Sequence, residues 1–267
     1  MGAISEIFGR LKREGRRGFI PFITAGDPDL ATTRDLLVEL AHAGASVIEL
    51  GVPFSDPMAD GPVIQRASER ALRHHFGLAE VLETTAAARR QVDVPVVLFS
   101  YYNPLMQFGV ERLCAAARRA GVDGVLVTDL VPEEAEDFAA TLARHGLDMI
   151  FLVAPTSTDA RLRMVAARAR GFIYAVSRAG VTGARESVSR EAEQLVARVR
   201  TVTALPVAVG FGISSRDQVA EVWRYADAAV VGSAIVAEIE RQLGAPDLAR
   251  RIGAFARSLV PDKSDGW

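Results

Sequence analysis

The sequence predicts an α/β protein of the (β/α)₈ barrel class, and three observations support this prediction. Short apolar runs rich in β-branched residues alternate with helical segments along the chain. Several helical segments end at a glycine that directly precedes such a run, which is typical of a helix that stops before a buried parallel strand. The length of 267 residues is close to the roughly 250 residues of one such barrel. We therefore expect one domain over residues 1–267.

The predicted elements follow one another in a regular order. Eight strands are predicted near Phe19, Ser46, Pro95, Asp123, Asp148, Phe172, Pro206 and Asp227. Helices are predicted between them over 29–43, 78–92, 110–120, 133–145, 159–170, 189–202 and 215–225. An extra amino-terminal helix is predicted from apolar residues at helical spacing, namely Ile4, Ile7, Phe8 and Leu11. The loops after strands two and six are unusually long, and in a barrel they lie on the face that forms active sites.

The composition favours a protein that acts on a small molecule. The formal net charge of −2 and the absence of a basic stripe argue against nucleic-acid binding. No apolar run approaches the ~18 residues that a membrane span requires, so we expect no membrane association. The single cysteine, Cys114, permits no internal disulfide, which is typical of the cytoplasm.

The composition also excludes two common kinds of catalytic group. The four histidines show no metal-ligand spacing, so we expect no metal site. The only lysines, Lys12 and Lys263, lie near the chain ends, and neither suggests a Schiff base. A lyase built from this sequence must therefore use carboxyl groups.

One carboxyl group lies within an otherwise apolar predicted strand, Val47–Val52. Side chains alternate along a strand, so Glu49 shares a face with Val47 and the opposite face is wholly apolar. Burying an unpaired carboxylate costs several kcal/mol. Two interpretations follow: Glu49 is satisfied by an arginine or a backbone partner, or burial raises its pKa so that it exchanges protons near neutral pH.

Glycine clusters follow predicted strands six, seven and eight. They are Ser177–Gly183, Gly210–Ser214 and Gly232–Ile235. Glycines allow backbone N–H groups to approach an oxyanion, and a helix that begins at Ser233 would favour negative charge at its amino terminus. The three clusters together predict a site for a phosphoryl group.

The segment Tyr101–Phe108, which follows predicted strand three, is interpreted as a loop. Its apolar residues Leu105, Met106 and Phe108 would then be exposed. An exposed apolar loop indicates a surface for a partner protein, whereas packing over the neighbouring helix would indicate a purely structural role. Both interpretations stay open at this point.

The long motif Glu49–Pro62, together with Tyr174 and Ser177–Gly183, closely resembles the α-subunit family of tryptophan synthases. The resemblance extends over almost the whole chain, from Pro21 to Ala234. It implies a (β/α)₈ barrel that cleaves indole-3-glycerol phosphate by an aldol-type reaction. The products would be indole and glyceraldehyde 3-phosphate, in tryptophan biosynthesis.

The resemblance assigns roles to individual residues. The two catalytic acids would be Glu49 and Asp60. Tyr174 would help to position the first acid, and Thr182 would pair with Asp60 when its loop closes. The indole pocket would be lined by Phe22, Tyr101 and Leu126. The phosphate would be bound by Gly183, Gly212, Gly232 and Ser233.

The chemistry explains why two acids are needed. Cleavage requires protonation of indole C3, deprotonation of the C3′ hydroxyl and stabilisation of an indoleninium cation. A buried Glu49 with a raised pKa can transfer the protons, while an ionised Asp60 accepts from the indole N–H and offsets the positive charge.

The resemblance also implies a partner protein. In this family a β subunit that contains pyridoxal phosphate receives the indole through a tunnel, within an αββα heterotetramer. This chain itself would have no cofactor. The loops near Pro57 and Asn103–Phe108 resemble the docking face for the β subunit. Val131, where the family pattern has proline, is a departure that affects this surface and not the chemistry.

Three alternatives remain open at this stage. The chain could be a stand-alone indole-3-glycerol-phosphate lyase, which the effect of added β subunit on turnover would reveal. It could be a phosphate-binding barrel isomerase of histidine or tryptophan synthesis, which the Glu49–Pro62 motif disfavours. It could also be a non-catalytic barrel that only binds a sugar phosphate, which the presence of both Glu49 and Asp60 argues against.

Overall fold

The computed structural model describes residues 2–176, 185–210 and 212–262, with the side chains of 185–189 excepted. Within these ranges eight parallel strands form a closed barrel in which each strand pairs with the next and β8 pairs with β1. The strands are β1 (Gly18–Thr24), β2 (Ile48–Gly51), β3 (Val96–Ser100), β4 (Gly124–Val127), β5 (Asp148–Val153), β6 (Ile173–Val176), β7 (Val207–Gly210) and β8 (Ala228–Val231). The predicted barrel is confirmed, and each strand lies close to its predicted position.

Twelve helices lie in the same described ranges. They are α1 (Ala3–Arg13), α2 (Leu30–His42), α3 (Pro62–Leu72), α4 (Leu78–Arg89), α5 (Tyr102–Phe108), α6 (Val110–Ala120), α7 (Glu136–Arg144), α8 (Asp159–Arg168), α9 (Arg185–Arg200), α10 (Arg216–Trp223), α11 (Ser233–Arg241) and α12 (Leu248–Ser258). The predicted amino-terminal helix is α1. None of the described helices combines the length and the apolarity that a membrane span needs.

Some helices were not predicted from the sequence. After β2 the chain forms α3, whose buried Ala67 and Ala71 face the barrel. The segment Tyr102–Phe108 is a helix and not the expected loop. Within it Leu105 is fully buried, while Met106 remains half exposed. The expectation that Leu105 is exposed is therefore wrong, because the helix turns this side chain onto the core.

Two apolar layers hold the barrel together. The outer layer lies between the strands and the surrounding helices and includes Ile48 and Leu50 of β2. The inner layer fills the barrel, and the apolar face of α1 is part of it. Ile4, Phe8 and Leu11 of this helix close the amino-terminal end of the barrel. Glu49 points into the barrel interior, because it alternates with Ile48 and Leu50 along β2.

Candidate active site

A cavity of about 480 Å³ opens at the carboxyl-terminal end of the barrel. Residues from β1, β2, β3, β6 and β8, from the start of α3 and α11 and from the loop after β7 line it. The predicted site residues on its wall are Phe22, Glu49, Asp60, Tyr174, Gly212, Gly232 and Ser233. Another cavity of similar volume lies beside β4 and β5, and no predicted site residue lines it in the described part of the chain. The first cavity is therefore the candidate active site.

Glu49 forms the floor of this cavity. It pairs with Phe22 of β1 on one side and with Val97 of β3 on the other, and only 1% of its surface is exposed. Its Oε1 atom has no hydrogen-bond partner among the described residues. Burial raises the pKa of the Glu49 carboxyl to about 8, and no charge or hydrogen bond from the described residues opposes this effect. Of the two interpretations left open by the sequence, the raised pKa is the one that the structure favours.

Asp60 lies in a different environment on the cavity rim, immediately before α3. Its side chain is partly exposed, and burial raises its pKa to about 6, against the opposing effect of the Tyr101 hydroxyl. The same hydroxyl accepts a hydrogen bond from the backbone N–H of Ala59 at 2.9 Å. Tyr101 thus anchors the loop that presents Asp60. At neutral pH Glu49 is mainly protonated and Asp60 is mainly ionised.

Tyr174 projects into the barrel from β6, opposite Glu49. It is buried, and its pKa is raised well above the usual value by burial and by the charge of Glu49. A Cβ atom at Gly210 of β7 would lie 2.1 Å from the Tyr174 hydroxyl oxygen. Glycine at position 210 is therefore what allows Tyr174 to adopt this position.

An aromatic wall lies beside the two acids. The rings of Phe22 and Phe99 meet edge to face, with centroids 5.3 Å apart, and both line the cavity. A Cβ atom at Gly51 would lie 2.5 Å from the Phe22 ring, so this glycine makes room for the wall. Phe99 was not predicted as a site residue. Val97 lies two residues earlier on β3 and also faces the interior, and this spacing of two is the signal that could have identified Phe99.

The part of the cavity wall next to Phe22, where β8 leads into α11, is suited to an anion. Helix α11 begins at Ser233, and the N–H groups of Ile235 and Val236 donate to the carbonyl of Gly232. The N–H groups of Ser233 and Ala234 precede these bonds and have no acceptor within the helix. Its amino terminus is directed at the cavity and favours negative charge. Gly212 has a φ angle of +79°, and a Cβ atom there would meet open space. The backbone at Gly212 is therefore open to a ligand.

The remaining predicted residues are not all on the cavity wall. Tyr101 lies behind Asp60 and contacts the ring of Phe54, with centroids 5.2 Å apart. Leu126 is fully buried within the barrel interior and is not among the described residues that line the cavity. Thr182 and Gly183 lie outside the described residues. No group of three potential metal-ligating residues was found in the described ranges.

The comparisons with known proteins agree with this geometry. The family model described as "Tryptophan synthase alpha chain" matches residues 8–258. A tryptophan synthase alpha chain from Geobacter sulfurreducens is 52% identical over 97% of this chain and 98% of that relative. One from Methylococcus capsulatus is 49% identical over 94% of both chains.

Solved structures give the same result. The α subunit of tryptophan synthase from Legionella pneumophila aligns with a TM-score of 0.90 and 36% identity, over 97% of each chain. A chain of the tryptophan synthase α2β2 complex from Pyrococcus furiosus aligns with a TM-score of 0.84 and 39% identity, over 91% of this chain and 97% of that one. The protein described here belongs to the tryptophan synthase alpha chain family.

Proposed function

We propose that Glu49 and Asp60 are the two carboxyl groups with which this chain cleaves indole-3-glycerol phosphate, as the α subunit in tryptophan biosynthesis. The main support is the contrast between two carboxyls on one cavity. Burial holds the pKa of Glu49 at about 8, while that of Asp60 is about 6. Two carboxyls that titrate apart can act as a proton donor and as an anionic partner at the same pH.

The proposed reaction consists of two proton transfers and the cleavage of one carbon–carbon bond. Protonated Glu49 donates its proton to C3 of the indole ring, which gives an indoleninium cation. The Glu49 carboxylate then accepts the proton of the C3′ hydroxyl as the C3–C3′ bond breaks. The electron pair of that bond returns to the ring and forms indole, and C3′ becomes the aldehyde carbon of glyceraldehyde 3-phosphate. Glu49 ends protonated, so the cycle is balanced.

The other residues of the cavity orient the substrate. Asp60 accepts a hydrogen bond from the indole N–H and offsets the positive charge that develops on the ring. Phe22 and Phe99 present an apolar surface to the bicyclic ring. The amino terminus of α11 holds the phosphate at the other end of the substrate. Tyr174, whose pKa responds to the charge of Glu49 across the barrel, limits the space that the Glu49 carboxyl can occupy.

The two pKa values predict a bell-shaped pH dependence. We expect kcat/KM to rise as Asp60 ionises near pH 6 and to fall as Glu49 loses its proton near pH 8. The maximum would lie near pH 7. Steady-state measurement of indole release from pH 5 to pH 9 checks this, and an increase in kcat/KM above pH 8 would contradict a protonated Glu49.

A matched variant separates Asp60 from the substrate phosphate, which also titrates near pH 6. The Tyr101 hydroxyl lowers the pKa of Asp60. Tyr101→Phe should therefore move the acid limb of the profile to higher pH and leave the basic limb in place. An acid limb that does not move would assign it to the phosphate.

We also propose that this chain assembles with a tryptophan synthase β subunit, as the Pyrococcus furiosus protein does in its α2β2 complex. Exposed apolar side chains on three segments at the cavity end support this docking face: Met58 in the loop after β2, Met106 in α5 and Val131 in the loop after β4. Met58 is 86% exposed. Exposed apolar groups on neighbouring segments are typical of a protein interface.

Charge substitution at this face tests the assembly. Met58→Asp should weaken β-subunit binding by tenfold or more, that is by about 1.4 kcal/mol, and leave indole release by the isolated chain unchanged. Leu243→Asp is the control, because Leu243 is also exposed but follows the carboxyl-terminal end of α11. Titration of turnover with β subunit measures both. Equal affinities for the two variants would exclude this face.

A cytoplasmic location forms part of the same proposal. Cys114 is a buried free thiol and is the one cysteine of the sequence. A protein without disulfides is suited to a reducing compartment. Fractionation of cells that express the chain, with activity as the readout, tests the location.

A further inference from the structure

Four charged residues link α3, α11 and the loop after β1. They are Asp27, Arg66, Arg70 and Glu240, and we call them the helix clamp. Arg70 donates from Nε and Nη2 to the two carboxylate oxygens of Asp27, at 2.7 and 2.9 Å, and from Nη1 to Glu240 at 2.7 Å. Arg66 donates two hydrogen bonds to Glu240, at 2.8 and 2.7 Å. The clamp contains two positive and two negative groups.

The clamp lies behind the candidate active site. Pro62 at the start of α3 and Ser233 at the start of α11 both line the cavity. With a rise of about 1.5 Å per residue, Arg70 lies roughly 12 Å and Glu240 roughly 10 Å along their helices from these ends. Between the cavity and the clamp, Ala67 of α3 and Val236 of α11 pack together with Phe22. The two helices thus contact each other from the cavity to the clamp.

Neither negative charge of the helix clamp is stabilised by the segment that carries it. Asp27 is completely buried, so its charge needs the bidentate arginine beside it. Glu240 lies in the last turn of α11, where the helix dipole opposes a negative charge. The hydrogen bonds that it accepts from Arg66 nevertheless lower its pKa to about 2, and the positive charges of Arg66 and Arg70 add to this effect. Burial acts in the opposite direction but is the smaller effect. The partner helix, and not α11 itself, therefore accounts for Glu240.

We propose that Arg70 and Glu240 are positioning residues that fix the offset of α3 along α11, and with it the separation between Asp60 and the phosphate site. This inference rests on the proposed function, because it assigns Asp60 to the indole end and the α11 terminus to the phosphate end. The substrate spans both ends, so its binding and turnover depend on their separation. Indole and glyceraldehyde 3-phosphate each need one end.

Glu240→Gln tests the proposal, since it keeps the shape and removes the charge that holds both arginines. We expect kcat/KM for indole-3-glycerol phosphate to fall by about tenfold or more, because small displacements of a reacting group are costly. Inhibition constants for indole alone and for glyceraldehyde 3-phosphate alone should stay within about twofold. Arg66→Gln, which leaves the Arg70–Asp27 pair intact, should show the same pattern with a smaller loss.

Asp247→Asn is the matched control. Asp247 also accepts from two arginines, Arg250 and Arg251, and all three lie at the start of α12. Arg251 also donates to Gln242, which caps α11, at 3.3 Å, so this group does not link α11 to α3. This variant should leave all three constants unchanged. A parallel weakening of substrate and both fragments by Glu240→Gln, or unchanged substrate turnover, would overturn the positioning role. Absence of cleavage by the unsubstituted chain would instead contradict the proposed function.

Discussion

Glu49→Gln is expected to reduce indole release by about 10³- to 10⁴-fold, because glutamine keeps the shape of the side chain and cannot transfer a proton. Affinity for an unreactive substrate analogue that lacks the C3′ hydroxyl should change little, since Glu49 contributes no charge to the resting site at neutral pH. Single-turnover assays measure the chemical step, and calorimetry with the analogue measures binding. Indole release within tenfold of the unsubstituted chain would remove Glu49 from the mechanism.

The same variant has an independent signature in stability. The pKa of Glu49 is about 8 in the folded chain and 4.5 for a free side chain, so between these pH values the folded state binds more protons than the unfolded state. The contribution of Glu49 to the free energy of unfolding is fully present below about pH 4.5 and is lost progressively as the pH rises from there through about 8. Glu49→Gln should abolish this part of the pH dependence. Urea titrations at pH 5 and pH 9 on both proteins test the sign.

Asp60→Asn is expected to reduce kcat by about 10²- to 10³-fold with a smaller change in KM. The asparagine oxygen still accepts from the indole N–H, but it cannot offset the positive charge on the ring. The loss therefore belongs to the transition state and not to the bound substrate. The residual activity of this variant should no longer show the acid limb of the pH profile.

Asp56→Asn is the control for Asp60, because Asp56 is an exposed carboxylate on the same loop. It accepts a hydrogen bond from the Ser55 hydroxyl and does not line the cavity. In the isolated chain its turnover should be unchanged. Equal losses from Asp56→Asn and Asp60→Asn would indicate that the loop, and not the Asp60 carboxylate, is being disturbed.

The sequence was sufficient where the signal is local. Alternation along β2 separates Glu49 from Ile48 and Leu50, so the sequence already predicts that the carboxyl lies on the opposite face of the strand from these two residues. A helix that begins at Ser233 was also predicted, and α11 begins at this residue. Helix α3 was not predicted. The prolines, aspartates and glycine of the preceding segment are typical of turns, and they outweighed the helical spacing of Ala67 and Ala71.

The sequence was insufficient where the structure depends on closure of the barrel. Arg70 and Glu240 are 170 positions apart, and only the pairing of β1 with β8 brings their helices together. Leu126 shows a similar limit. Alternation places it inside the barrel, but its depth depends on the stagger between strands, which no local pattern specifies. It was expected at the cavity and lies in the filled interior instead.

The apolar face of α1 limits the routes by which substrate and products can reach and leave the cavity. Ile4, Phe8 and Leu11 close the amino-terminal end of the barrel, so small molecules cannot pass along the barrel axis from one end to the other. Substrate arrives, and both products depart, at the other end of the barrel, where the loop after β2 presents Met58 and helix α5 presents Met106. A protein bound over that entrance would decide whether indole escapes to solvent or is handed on.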